Sequence, residues 1–257
     1  MFIDSHAHIQ LDRFDSDRSL VIERAKNSQV SIILVVGFDI STSHLAVELA
    51  DRYDHIYATV GLHPHDAKRF TPQTLREIAL LAEHPKVVAL GEMGLDYHRN
   101  LSPKSVQKRV FEEQLDLATQ LDLPIVVHNR NAFDDILSIL ENHSQLTGGV
   151  LHCFSENTKS MDRVIDVGFH IGIGGPVTYK KSQDLKQVVK VMPADSFLIE
   201  TDCPWLAPQL RRGKRNEPAY ITEIATKIAE LRQVTIESVG QTSSQNFRKL
   251  FSIEKRA

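Results

Sequence analysis

The stretch SIILVVG at Ser31–Gly37 is one of several short apolar runs that recur along this chain of 257 residues. It is rich in β-branched residues, too short for a typical helix and nearly free of polar interruptions, as is typical of a strand covered on both faces. Seven other runs share these properties, so the sequence predicts eight buried strands. The eight runs are Phe2–Asp4, Ser31–Gly37, Ile56–Gly61, Val87–Gly91, Pro124–His128, Gly149–His152, Phe169–Gly172 and Phe197–Glu200.

Segments with helical periodicity separate these runs. Pro72 and Pro103 stand at the first turn of two of them, a common start signal for helices. Two more helical patterns, Pro218–Leu231 and Thr235–Phe251, follow the last run. Eight strands alternating with helices at a mean spacing of about 32 residues predict a parallel sheet closed as a (β/α)8 TIM barrel, with an additional C-terminal helix. A doubly wound open sheet is the alternative. No linker is visible, so we expect one domain over residues 1–257.

Composition narrows the class of protein. The chain has 30 Lys and Arg against 33 Asp and Glu, and it is 42% hydrophobic and 25% charged. These values exclude disordered, collagen-like and coiled-coil proteins. No stretch approaches the roughly 18 apolar residues of a membrane span, and the opening MFIDSHAHIQ lacks the features of a signal peptide. Two cysteines form no disulfide framework. We therefore expect a cytoplasmic protein without a membrane partner. Its net charge of −3 excludes a protein that covers nucleic acid through an overall positive charge.

Half of the 12 histidines follow or end predicted strands, where a TIM barrel carries its chemistry. Imidazole and carboxylate groups together suit Zn²⁺, Mn²⁺ or Mg²⁺. A single histidine at a strand end is more often a packed residue than a ligand, but the conjunction over five strand ends predicts a metal site. Glu92 is the natural bridge between two ions. The six candidate ligands are His6, His8, Glu92, His128, His152 and Asp202.

At these residues the sequence resembles the TatD family of metal-dependent deoxyribonucleases. The motifs that carry the resemblance are IDSHAHI at 3–9, GLHPH at 61–65, ALGEMGLDY at 89–97, PIVVHNR at 124–130, GGVLHCFS at 148–155, IGIGG at 171–175, LIETDCPWLAP at 198–208, RGKRNEP at 212–218 and SSQNFRKLF at 243–251.

The resemblance implies a (β/α)8 barrel with two divalent ions that hydrolyses DNA phosphodiester bonds, commonly as a 3′-to-5′ exonuclease. By position, one ion is expected on His6, His8, Glu92 and Asp202, and the other on Glu92, His128 and His152. Two positions depart from the family pattern. Gln10 stands where Asp is frequent, and Glu156 stands where Gly is usual and adds negative charge near the mouth.

The expected nucleophile is a metal-activated hydroxide that bridges the ions, with Asp202 holding it or accepting its proton. His63 is a candidate catalytic and substrate-binding residue, with loop structuring as the alternative. Glu200 is expected to orient the ligands from behind. Phosphate binding is assigned to Arg130 and to the basic loop with Arg212 and Lys214, although such a loop is often merely solvated.

The expected substrate is DNA, as single strands or ends, and no obligate protein partner is visible. One alternative is hydrolysis of a small phosphoester, amide or lactone by the same metal pair, and another is a non-catalytic binding module. Tyr97 and Trp205 are candidates to stack on bases, or else core residues. Cys153 and Cys203 each follow a candidate ligand, so we expect them to point away from the ions and to pack.

Overall fold

A computed structural model describes residues 1–253, and within them eight parallel strands form a barrel surrounded by helices. Each strand pairs with the next one along the chain. The ring closes where Ala7 pairs with Cys203, and there the Asp202 N–H donates to the His6 carbonyl oxygen at 2.8 Å. The predicted (β/α)8 barrel is confirmed. The strands are β1 (Phe2–Ala7), β2 (Val30–Val36), β3 (Ile56–Val60), β4 (Val87–Asp96), β5 (Ile125–Arg130), β6 (Gly149–Leu151), β7 (Phe169–Ile173) and β8 (Phe197–Ile199).

Helices cover the outside of the barrel. The helix after β3 begins at Pro72, as predicted, where the Thr71 side chain accepts the Thr74 N–H. Within residues 1–253, no helix combines the length and the apolar character that a membrane crossing requires. The helices are α1 (Arg18–Asn27), α2 (Ile40–Arg52), α3 (Pro72–Ala82), α4 (Lys104–Leu121), α5 (Phe133–Glu141), α6 (Thr158–Asp166), α7 (Gln183–Val191), α8 (Ile221–Arg232) and α9 (Ile236–Leu250). The single-domain prediction also takes in residues 254–257, which lie outside the described residues.

Four strands continue beyond the apolar runs that predicted them, and β1 and β4 do so furthest. β1 reaches Ala7 instead of Asp4, and β4 reaches Asp96 instead of Gly91. The added residues include His6, Glu92 and Asp96, which are polar yet buried, because they lie at the mouth of the barrel among other side chains rather than in solvent. Apolar runs therefore marked the strands but underestimated the length of those that carry the site.

The last helix, α9, packs against apolar residues of the barrel strands. Phe247 of this helix and Phe251, directly after it, are fully buried in the same apolar cluster as residues on β1, β2, β4, β5, β6 and β8. Gly240 allows this close approach, because a Cβ there would lie 2.8 Å from the Phe2 ring. The additional C-terminal helix predicted from periodicity therefore completes the barrel interior.

Replacing Phe247 by Ala should lower the free energy of unfolding by about 3–5 kcal/mol, since it removes a buried ring and leaves a cavity. Urea unfolding followed by far-UV circular dichroism would measure the change. Leu210→Ala is the matched control, because Leu210 is 86% exposed, and its effect should stay within about 0.5 kcal/mol. Equal losses in the two variants would contradict the packing role of α9.

Candidate metal centre

Glu92 on β4 lies at the centre of a cluster of imidazoles at the carboxyl ends of the strands. Its Oε1 atom is 2.8 Å from His128 Nδ1 and 2.9 Å from His152 Nε2. Its Oε2 atom is 3.6 Å from His6 Nε2 and 3.7 Å from His8 Nε2. One carboxylate thus faces two pairs of imidazoles, as a bridging ligand requires.

The backbone before Glu92 demands glycine. Gly91 has a φ of +130°, and a Cβ at this position would lie 2.4 Å from the Val126 carbonyl oxygen. The register of β4 against β5 is irregular between Leu90 and Met93. The Glu92 N–H donates to the Gly37 carbonyl oxygen at 2.8 Å. The motif GEMG therefore includes a glycine that lets the strand deliver this carboxylate to the mouth.

Asp202 approaches the cluster from the end of β8. Its Oδ1 atom is 3.6 Å from His8 Nε2 and 3.9 Å from His6 Nε2. Its φ of +54° is left-handed, a conformation that Asp adopts more readily than most residues. The preceding Thr201 is held in place by buried Asp4, which accepts hydrogen bonds from its N–H at 2.9 Å and from its hydroxyl at 2.6 Å. These contacts fix the strand end that presents Asp202.

Neighbouring side chains shift the pKa values of Glu92 and His152. Burial opposes ionisation of Glu92, but the imidazoles of His152 and His63 and the hydrogen bond with His128 outweigh it and hold the pKa of Glu92 well below its usual value. Burial likewise opposes a charged His152, yet Glu92 and Glu200 raise the pKa of His152 well above its usual value. The site therefore favours the ionised form of Glu92 and the protonated form of His152.

The donor atoms suit divalent metal ions. Three sets of three residues bring one ligand atom each to within 4.8 Å of one another. Imidazole nitrogens and carboxylate oxygens in such numbers match the preferences of Zn²⁺ and Mn²⁺ and are compatible with Mg²⁺. The residues present therefore fit a metal centre. The sets are His6, His8 and Glu92; His6, His152 and Asp202; and His63, Glu92 and His128.

Glu200 lies directly behind the cluster. It is fully buried, its Oε1 atom is 3.6 Å from His152 Nδ1, and it accepts the Cys153 N–H. Gly172 on β7 makes room for it, because a Cβ there would lie 2.3 Å from Glu200 Oε2. Glu200 therefore lies beside the His152 ring nitrogen that does not face Glu92, and its role in orienting that ring stays a prediction.

His63 is in contact with both its own loop and the cluster. Its Nδ1 atom accepts the His65 N–H at 3.1 Å, and its Nε2 atom is 3.5 Å from Glu92 Oε1. Burial and neighbouring His128 hold the pKa of His63 well below its usual value, so the ring is neutral. Because Nδ1 accepts a hydrogen bond, the single ring proton resides on Nε2. This ring therefore offers a donor to the cavity while its other nitrogen structures the loop.

Asp96 and His65 also belong to the site, although Asp96 was not among the predicted site residues and His65 was counted at a strand end without a role. Asp96 is fully buried, and its Oδ2 atom is 2.8 Å from His65 Nε2 and 3.3 Å from His128 Nε2. Burial opposes ionisation of Asp96, but hydrogen bonds with His128, the Arg99 N–H and His65 lower its pKa below the usual value. Asp96 thus orients His128 from the side opposite Glu92. The strand-end rule could have found it, had β4 been extended past Glu92.

The cluster forms the floor of a cavity of about 670 Å³. Arg130 at the end of β5, a predicted phosphate-binding residue, lines it, and so does Arg99, which was not among the predicted site residues. Among the described residues, the lining includes neither Arg212 nor Lys214. The Arg212 guanidinium lies 4.5 Å from the centre of the Tyr179 ring. The substrate contacts assigned to Arg212 and Lys214 stay predictions.

The two departures from the family pattern occupy different places. Gln10 is buried and donates from Nε2 to the Val36 carbonyl oxygen at 2.7 Å, the atom that His8 Nδ1 also contacts at 2.8 Å. Glu156 accepts a hydrogen bond from Asn129, a cavity residue, at 3.2 Å. Gln10 therefore shares its acceptor with a candidate ligand, whereas Glu156 sits at the cavity border.

The two cysteines differ from each other. Cys203 is fully buried, in agreement with the prediction that it packs. Cys153 lines the cavity, so the prediction that it points away is wrong. The alternation rule does not apply to it, because β6 ends at Leu151 and Cys153 has a left-handed φ of +48°.

The chain is similar to known proteins over nearly its whole length. The sequence model of a family described as "TatD related DNase" matches residues 3–252. The chain is 46% identical to an uncharacterized metal-dependent hydrolase, YabD, of Bacillus subtilis, over 98% of this chain and 100% of that protein. It is 36% identical to the 3′-5′ ssDNA/RNA exonuclease TatD of Salmonella typhimurium, over 97% of this chain and 98% of that protein. The crystal structure of YJJV, a TatD homolog from Escherichia coli, superposes with a TM-score of 0.93 at 30% identity and covers 98% of both chains.

Proposed function

Because this chain belongs to the TatD related DNase family, we propose that it is a divalent-metal-dependent nuclease that removes nucleotides from the 3′ end of single-stranded DNA. The observation that carries the proposal is Glu92, held between two pairs of imidazoles at the floor of an open cavity. The name of a relative, a 3′-5′ ssDNA/RNA exonuclease that is 36% identical, supports the polarity and the substrate class.

We infer two ion positions. His6, His8, Glu92 and Asp202 would hold one cation, and Glu92, His128 and His152 would hold the other, with Mg²⁺, Mn²⁺ or Zn²⁺ as candidates. When bound, the cations lower the pKa of water and neutralise charge on the phosphate oxygens. Glu200 behind His152 and Asp96 behind His128 would fix the orientation of these two rings.

Asp202 is the group proposed to accept the proton of the attacking water. Its side chain is 12% exposed, against 6% for Glu92, and Glu200 and Asp96 are fully buried. Asp202 is therefore the carboxylate of the cluster with the best access to a molecule in the cavity. The Nε2–H of neutral His63 is the proposed donor to a phosphate or leaving oxygen, and Arg130 and Arg99 are proposed to hold the phosphate backbone.

An assay on end-labelled substrates tests the proposed function. With Mg²⁺, Mn²⁺ or Zn²⁺, single-stranded DNA labelled at its 5′ end should yield a ladder that shortens stepwise from the 3′ end. Double-stranded DNA and bis(4-nitrophenyl) phosphate serve as comparison substrates. Hydrolysis of the small ester without any cleavage of DNA would favour the alternative of a small-molecule phosphoesterase.

The salt dependence of DNA binding should identify the phosphate contacts. Arg130→Gln should reduce the slope of log K against log salt by about 0.7, the loss of one contact to a single strand. The measurement is fluorescence anisotropy with a dye-labelled oligonucleotide whose last linkages are phosphorothioates. Lys214→Gln is the matched control from outside the cavity lining, and we expect it to change the slope less. A larger change of slope for Lys214→Gln than for Arg130→Gln would indicate that the basic loop makes the phosphate contacts.

A further inference from the structure

An exposed aromatic side chain stands at the edge of the candidate metal centre. The indole of Trp205 lines the cavity and is 41% exposed. It meets the ring of His8 edge to face, with ring centroids 5.0 Å apart. An exposed indole beside a polar cavity offers an aromatic surface on which a planar ligand can stack.

The backbone of Trp205 is held firmly although its side chain is exposed. Its N–H donates to the Asp202 carbonyl oxygen at 2.9 Å. Its carbonyl oxygen accepts a hydrogen bond from Nδ2 of Asn216 at 2.7 Å, and the same amide donates to the Thr201 carbonyl oxygen. Asn216 is fully buried. The indole is therefore placed by the same segment that presents Asp202, so its position relative to the reacting phosphate is set in advance.

A second ring lies on the same side of the mouth. Phe38 follows β2, lines the cavity, and meets His8 edge to face with centroids 5.5 Å apart. In this barrel, β8, β1 and β2 are consecutive neighbours. Trp205 and Phe38 thus form an apolar border on either side of His8.

The cationic side chains lie across the mouth from this border. Arg99 follows β4 and Arg130 ends β5, and in a ring of eight strands β4 lies half a turn from β8. Both arginines are exposed, and neither forms an ion pair with any of residues 1–253. The cavity therefore has an aromatic side, a central cluster of carboxylates and imidazoles, and a cationic side. The end of a nucleic acid strand has the matching order: a base, a phosphodiester group and further phosphates.

Tyr97, the other stacking candidate, is already engaged. Its hydroxyl donates to Asp135 at 2.7 Å, and Lys104 Nζ lies 4.1 Å from the centre of its ring. Trp205 is instead 41% exposed and lines the cavity, so part of its ring is accessible to a planar ligand.

We propose that Trp205, bordered by Phe38, is a stacking subsite for the terminal nucleobase of the substrate strand. The proposal rests on the proposed nuclease function and specifies how that function selects its substrate. Stacking on an indole tolerates all four bases, because each has a π face. The subsite therefore discriminates a terminal nucleotide that has a base from one that has none, with little dependence on which base it is.

The chain contains a single tryptophan, so its fluorescence reports on Trp205 alone. The experiment titrates the protein in Mg²⁺ with a single-stranded oligonucleotide whose last linkages are phosphorothioates. Emission is followed together with the anisotropy of a 5′ dye. The intact oligonucleotide should quench the emission as it binds, and an oligonucleotide with an abasic 3′ nucleotide should bind about tenfold more weakly. Trp205→Ala should bind both with equal affinity, whereas Trp205→Phe should keep part of the discrimination.

Two outcomes would overturn the subsite. One is saturation of the anisotropy with unchanged emission, and the other is undiminished discrimination by Trp205→Ala. Leu210→Ala, an exposed residue of the same loop, is the control and should behave as wild type. Quenching and discrimination without cleavage of DNA would leave the subsite standing and refute the proposed nuclease. Cleavage of DNA without quenching would refute the subsite and leave the proposed nuclease standing.

Discussion

Replacement of Asp202 by Asn should lower kcat for DNA cleavage by about 10²–10⁴-fold, the range for removal of a proton-accepting group, with little change in KM. Asn has nearly the same shape and keeps a carbonyl oxygen toward His8, but it cannot take up a proton at neutral pH. The loss should therefore fall on the chemical step, because the amide still fills the same space in the cavity.

Steady-state kinetics at saturating cation would measure the effect of Asp202→Asn. Asp162→Asn, on an exposed face of α6, is the matched control and should be indistinguishable from wild type. A variant with a normal kcat would remove Asp202 from the role of proton acceptor. A raised KM at constant kcat would instead make it a substrate-binding residue.

Replacement of Glu92 by Gln should lower activity by about 10²–10³-fold or more, because it removes the negative charge at the centre of the cluster. Both carboxylate oxygens face imidazole nitrogens: Oε1 those of His128, His152 and His63, and Oε2 those of His6 and His8. An amide offers one oxygen and an NH₂ group that only donates, so it cannot bridge two cations. Titration calorimetry should show fewer bound ions per chain than in the wild type, whatever the activity.

Chelation of the wild type tests, without a mutation, whether hydrolysis depends on bound cations. EDTA should abolish hydrolysis, and Mg²⁺, Mn²⁺ or Zn²⁺ should restore it. Glu156→Gln is the matched variant, since Glu156 is a carboxylate at the cavity border outside the ligand set, and it should retain the wild-type ion stoichiometry. Full activity in EDTA, or unchanged ion binding by Glu92→Gln, would contradict the metal centre.

Much of the fold was predictable because burial on both faces leaves a strong local pattern. A strand inside a (β/α)8 barrel has no solvent-facing side, so runs such as that at 31–37 consist almost wholly of apolar residues. Helix starts were equally local, as the capping of α3 at Thr71 illustrates. The candidate ligands followed from the rule that chemistry collects at the carboxyl ends of barrel strands.

The remaining features depend on contacts between residues far apart in the chain. Asp96 became a member of the site only because the register of β4 and β5 sets Gly94 opposite His128. The order of apolar residues in α9 indicated a helix, but not that Phe247 enters the barrel. Likewise, the path of the loops brings Arg99 and Trp205 to the cavity while Arg212 rests on Tyr179.

The physical reason for this division lies in the range of the forces involved. Side-chain periodicity is a local property, so the sequence by itself determined which segments are strands, which are helices and which polar groups end a strand. Strand register and loop conformation are decided by the packing of the whole barrel. Only the tertiary structure therefore decided that Glu92 faces five imidazoles, that Asp96 orients one of them, and that a single exposed indole stands beside them.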